Sequence, residues 1–160
     1  MTKNQKAQLR LLLRLVLIAT LCFIWSNSMV GKEGSASLSR TVTAWLNGIG
    51  IPVTEHFVRK AAHFCEFGLL GCELMLLFWL RSGVHFQNLC NAAFAALLSA
   101  VTDETIQIFS GRGSQVQDVV LDFSGALTGI LLVSLIMIIA WRNQSRIRLI
   151  SLPNDKFDSE

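Results

Sequence analysis

The sequence predicts an all-α polytopic membrane protein, a four-transmembrane-helix bundle with a short interfacial helix in its first outer loop. Three observations predict it. Hydrophobic residues make up 52% of the 160 residues and charged residues 16%, with a mean hydropathy of +0.49, whereas a soluble domain carries about a quarter charged residues. The apolar residues gather in four runs, roughly 9–29, 57–80, 89–109 and 119–141, each near the ~20 residues needed to cross the hydrocarbon core. The runs are continuous, without the alternation of barrel strands, so helices satisfy the backbone hydrogen bonds.

The first run follows Lys3, Lys6 and Arg10 and contains Arg14. A basic head, an apolar stretch and the small residues of "SNS" at 26–28 also resemble a signal peptide. Cleavage there would leave three spans with the same outer face. Between the first and second runs, "GKEGSAS" reads as a flexible loop. Leu38, Val42, Trp45, Leu46 and Ile49 then recur at helical spacing and give a short helix with one apolar face. That face either lies in the outer interface, with Trp45 at headgroup level, or packs on the bundle. Gly48, Gly50 and Pro52 end it.

Cationic residues orient the spans. Besides the N-terminal group, Arg81 lies between the second and third runs, and Arg142, Arg146, Arg148 and Lys156 follow the fourth. With four spans these groups share one side, and cations favour the cytoplasm. Both termini are therefore expected in the cytoplasm of a bacterial plasma-membrane protein. The segment 1–8 is then a cytoplasmic head, 9–141 the transmembrane domain and 142–160 a cytoplasmic tail, with "SLPNDKFDSE" disordered. Segments 30–56 and 110–118 face outward. The net charge of +3 and the lack of a basic run interleaved with aromatics give no reason to expect nucleic acid as a partner.

The four cysteines, Cys22, Cys65, Cys72 and Cys90, show no CxxC spacing and read as small buried hydrophobes. Ala92, Ala96 and Ala100, and again Gly125 and Gly129, recur every four residues. Such spacing lets helices approach closely, within one bundle or along a homodimer seam.

The chemistry sits in "RKAAHFCEFGLL", residues 59–70. An ionisable group inside a membrane costs at least ~2.5–3.5 kcal/mol on insertion scales, so it persists where it pairs, lines a wet cavity or does chemistry. Lys60, His63 and Glu66 follow one another at i, i+3 and so lie along neighbouring turns of one face, with Arg59 beside them. The third run ends in "DETIQIF", with Asp103, Glu104 and Gln107. The fourth opens on "QDVVLD", with Asp118 and Asp122 one turn apart. Three antiparallel spans thus carry polar residues to one outer-leaflet depth, and Ser26, Asn27 and Ser28 reach the same level from the first. Three cations (Arg59, Lys60, Arg112) face five carboxyls (Glu66, Asp103, Glu104, Asp118, Asp122). Such an acid excess in a low dielectric calls for protonation, a charged His63 or a bound cation. A divalent metal ion would suit His63, Glu66, Asp103 and Asp122. Acid–base chemistry would fall to His63, Glu66, Asp103 and Glu104. Arg59, Lys60, Gln107, Arg112, Asp118 and Asp122 are the candidate substrate-binding residues. A structural ion-pair network is the competing reading. No GxSxG and no phosphate-cradling glycine loop with a lysine is present, and only Ser110 or Ser114 could join a serine–histidine–aspartate arrangement.

"KAAHFCEFGLLG" followed by "DETIQIFSGRGSQVQDVVLDFSGALTG" resembles the VanZ-like family of small bacterial membrane proteins over about residues 59–130. Lys60, His63, Asp103, Glu104, Gln107, Arg112, Asp118 and Asp122 occupy the positions of that pattern. Phe67 stands where the family often has tyrosine, and Ser110 where a proline often precedes the G-R turn. The resemblance implies an association with glycopeptide resistance, teicoplanin in the founding member, without an established reaction. The site would bind or act on a membrane lipid or a lipid-linked envelope precursor, such as one of peptidoglycan. The alternative is a non-catalytic assembly factor or a carrier. A carrier needs polar residues through the inner halves, and the runs around Leu74–Phe78 and Leu131–Ile138 are almost wholly apolar.

Overall fold

The computed structural model describes residues 2–30, 32–111, 113 and 115–150. They form five helices: α1 Lys3–Met29, α2 Lys32–Gly48, α3 Glu55–Ser82, α4 Phe86–Phe109 and α5 Val116–Ile150. Four of them, all but α2, are long and apolar enough to cross a membrane. The sequence "SLPNDKFDSE" and Lys156 lie outside the described residues.

The spans reach beyond the apolar runs at several ends because the flanking residues carry helix signals of their own. Thr2 and Gln5 form a capping box before α1, the Thr2 hydroxyl accepting from the Gln5 amide and the Gln5 side chain accepting from the Thr2 amide. Thr54 caps α3 by accepting from the Phe57 amide at 3.2 Å. Gly83, at φ 87°, stops α3 in a conformation that favours glycine. Its carbonyl accepts from Asn88 Nδ2 at 2.7 Å, which ties the short α3–α4 connection.

The "GKEGSAS" loop is corrected from residue 32 onward, since α2 already runs from Lys32. A helical Gly34 costs only ~1 kcal/mol. α2 meets the bundle at α3, while much of its apolar face stays open. Leu38, Trp45 and Ile49 are more than half exposed.

α3 lies at the centre and packs most closely on α5. A Cβ on Gly125 would meet the Phe64 carbonyl, one on Gly129 the Gly68 carbonyl, and one on Gly71 the Ala126 carbonyl. The glycines therefore set the approach of the two backbones, and their stripe faces inward within one chain. Ala92, Ala96 and Ala100 on α4 are fully buried. The core around them holds Phe67, Leu70 and Met75 of α3 and Ile130 of α5. α1 is the loosest span, with only Ile24 and Ser28 buried.

The reading of the cysteines as buried is corrected for three of them. Cys22, Cys65 and Cys90 are exposed on span surfaces, and Cys72 is half-buried. In a bundle solvated by hydrocarbon the outward faces are as apolar as the core, so an apolar context alone does not distinguish inside from outside.

Candidate functional site

α3 and α5 run away from the α2 end of the bundle and α4 runs toward it. At 1.5 Å per residue, His63 lies about 12 Å along α3 from its start. Asp103 lies about 9 Å short of the end of α4, and Asp122 about 9 Å into α5. The three meet. His63 Nδ1 is 3.7 Å from Asp122 Oδ1 and 4.0 Å from Asp103 Oδ2. Both aspartates are fully buried.

Asp103 is held from two sides. Ser28 Oγ, at the end of α1, donates to Oδ1 at 2.6 Å, and Gln107 Nε2 donates to Oδ2 at 2.8 Å. The same Gln107 amide donates to Glu104 Oε1 at 2.9 Å. Glu104 also accepts from the Gln115 backbone amide at 3.3 Å, which ties α4 to the approach of α5. Ser110 donates to the Ser28 carbonyl at 2.9 Å. The Gln107 carbonyl lies within reach of the same hydroxyl at 3.1 Å.

Asp122 is arranged differently. Neither of its carboxylate oxygens has a hydrogen-bond partner among the described residues. Buried polar atoms in folded proteins are overwhelmingly satisfied, so this carboxylate stands out. It lines a pocket of about 250 Å³ together with Arg59, Lys60, His63, Glu104 and Asp118. Arg59 is exposed, and Lys60 forms an ion pair with Asp118 at 3.2 Å. Asp118 lies in the first turn of α5, which begins at Val116. The pocket thus has cationic side chains toward its mouth and carboxylates within.

Residues 11–138 match the VanZ/LLP1 family model. The chain belongs to the VanZ/LLP1 family. The match covers all four spans, including α1 residues that lie outside the motif-bearing stretch. No curated protein and no solved structure matches the chain. Family membership and the four apolar helices make it a multi-pass membrane protein.

The motif positions of this VanZ/LLP1 protein divide by geometry. His63, Asp103 and Asp122 each offer a ligand atom, and these atoms lie within 4.8 Å of one another. They could hold a cation. Glu66 stands outside this group of three and accepts from Asn27 Nδ2 at 3.4 Å. Gln107 acts on the two acids of its own helix. Arg112 and Ser114 lie outside the described residues. Phe67 is fully buried in the core.

Three residues have roles that the motif pattern does not reveal. By sequence, Ser28 is one of three small polar residues at the depth of the site, and nothing marks it as the partner of Asp103. Thr20 and Glu73 lie outside the polar motifs. Thr20 Oγ1 donates to Glu73 Oε1 at 2.8 Å, and Glu73 is 6% exposed. Thr20 and Asn27 are seven residues apart on α1, and Glu66 and Glu73 seven apart on α3, so two polar rungs cross one antiparallel seam. A charge inside an apolar run is itself a signal. Glu73 carries that signal, but all its neighbours one turn away, Leu69, Leu70, Leu76 and Leu77, are apolar, so it joins no polar face.

Proposed function

We propose that this VanZ/LLP1 protein binds the anionic headgroup of a cell-envelope lipid, a polyprenyl-linked or peptidoglycan precursor, at the outer leaflet of the bacterial plasma membrane. Its α2 end faces outward and both termini are cytoplasmic, the orientation favoured by the cations that flank the spans. The observation that carries this reading is the pocket itself, with Arg59 and Lys60 toward the mouth and His63, Glu104 and Asp122 within. Two cationic side chains beside a pocket within the spans suit a phosphate or carboxylate group. The lipid tail would lie along the apolar span surfaces. His63 is the candidate acid–base group if the bound precursor is also transformed, with Asp103 and Glu104 beside it. A link to glycopeptide resistance is part of this proposal and rests on the family resemblance alone.

The competing reading is a structural ion-pair network. The Lys60–Asp118 pair fits it, but Asp122 does not. A network that served only to hold the bundle would gain by giving both buried oxygens a donor.

The test is retention of lipid by the purified full-length protein in detergent, read by native mass spectrometry. Polyprenyl diphosphate should be retained over neutral polyprenol. The variant Arg59→Gln/Lys60→Gln should lose that preference while remaining monodisperse. Equal retention of the two lipids by the unaltered protein would sink the headgroup reading.

A further inference from the structure

We infer that His63, Asp103 and Asp122 form a binding site for one divalent transition-metal cation. The proposal deepens the headgroup reading, since a metal would supply the charge that draws a phosphate past carboxylates, but its geometry stands independently.

Three observations converge. First, the three ligand atoms come from three different helices, α3, α4 and α5, and lie within 4.8 Å of one another. Metal–nitrogen and metal–oxygen bonds are about 2.0–2.2 Å, so two ligands on one metal sit roughly 3–3.4 Å apart. The His63 separations of 3.7 Å and 4.0 Å, and the bound of 4.8 Å on all three, would need a contraction of roughly 1–2 Å, within reach of side-chain torsions. Second, Asp122 is fully buried, neither of its oxygens has a hydrogen bond among the described residues, and it borders the pocket. A carboxylate in that state presents its lone pairs to whatever enters. Third, Asp103 has the support that metal ligands require. Ser28 and Gln107 each donate to one of its oxygens, which fixes the carboxylate plane while leaving further lone pairs free. Such outer partners orient ligands and tune affinity.

The charge balance agrees. Lys60 and Asp118 pair at the mouth, and the lining deeper in the pocket carries the carboxyl groups of Glu104 and Asp122, whose charge a bound cation would offset. The donor set selects the class. One imidazole and two carboxylates suit Zn²⁺, Mn²⁺ or Fe²⁺, whereas Ca²⁺ prefers an all-oxygen shell and Cu⁺ soft sulfur. The pocket of about 250 Å³ leaves room for waters or a ligand oxygen at the remaining positions. The site would thus be open on the pocket side, as sites that act on a ligand are.

The experiment titrates the full-length protein in detergent with Mn²⁺ and follows binding by electron paramagnetic resonance. The expected result is one Mn²⁺ per chain, displaced by Zn²⁺, with a nitrogen coupling from the imidazole in the pulsed spectrum. Asp122→Asn should weaken binding at least tenfold and His63→Gln should remove the nitrogen coupling, both while the protein stays monodisperse. Glu73→Gln, at a buried acid outside the group, should bind as the unaltered protein does. Absence of stoichiometric Mn²⁺, binding without nitrogen coupling, or full binding by Asp122→Asn would each overturn the site. Polyprenyl diphosphate retention measured in the same preparations separates the two readings. Retention with no metal defeats the cation and leaves the headgroup reading standing. Metal binding with no lipid preference does the reverse.

Discussion

Ser28 on α1 donates its hydroxyl to Asp103 on α4 at 2.6 Å, with both residues fully buried. This bond attaches the loosest span to the group formed by His63, Asp103 and Asp122.

Replacing Ser28 by Ala should therefore do two things. It leaves a buried Asp103 oxygen without a donor, at a cost of about 1–3 kcal/mol. It also releases one of the two constraints on a proposed metal ligand. We expect a lower melting temperature in detergent together with weaker Mn²⁺ binding. Ser28→Thr, which keeps the hydroxyl, should restore most of both. An unchanged melting temperature for Ser28→Ala would show that water replaces the bond.

The Thr20–Glu73 rung predicts an asymmetry. Thr20→Val removes the only donor that Glu73 has among the described residues and should destabilise by about 1–3 kcal/mol. The double variant Thr20→Val/Glu73→Leu replaces both partners by apolar groups and should recover most of that loss. Equilibrium unfolding in mixed micelles measures both. Additive losses in the double variant would argue that Glu73 does more than pin α1.

Gly129→Ala should cost about 1–3 kcal/mol or more, because the new methyl meets the Gly68 backbone rather than a movable side chain. Gly125→Ala meets the Phe64 carbonyl in the same way and should behave alike. Gly48→Ala, with nothing within 4 Å of the added Cβ, serves as the control and should leave the melting temperature within about 2 °C of the parent. Equal effects at all three positions would remove the case for close α3–α5 contact.

Four membrane-length helices are legible directly in the apolar runs, because lipid admits few other solutions for a continuous apolar segment. The polar motif residues are legible for the same reason, since an ionisable group costs most where the surroundings are apolar. Spacing along each helix gives depth, so His63, Asp103 and Asp122 fall at a common level by residue count alone. The onset of α2 at Lys32 is not legible, as Gly34 and the serines favour loop and helix almost equally.

The sequence by itself determined the number of membrane-length apolar helices and which groups are too polar for lipid. Only the tertiary structure decided which of those groups touch. It put His63 between two aspartates, gave Glu66 to Asn27 and Glu73 to Thr20, and left Asp122 with no hydrogen-bond donor among the described residues. The reason is geometric. Periodicity along a chain fixes height and facing within one helix. The rotation of one helix against another is set by small residues in contact, Gly125 and Gly129 on Phe64 and Gly68. Those partners lie two helices apart along the chain, and no local pattern encodes their meeting.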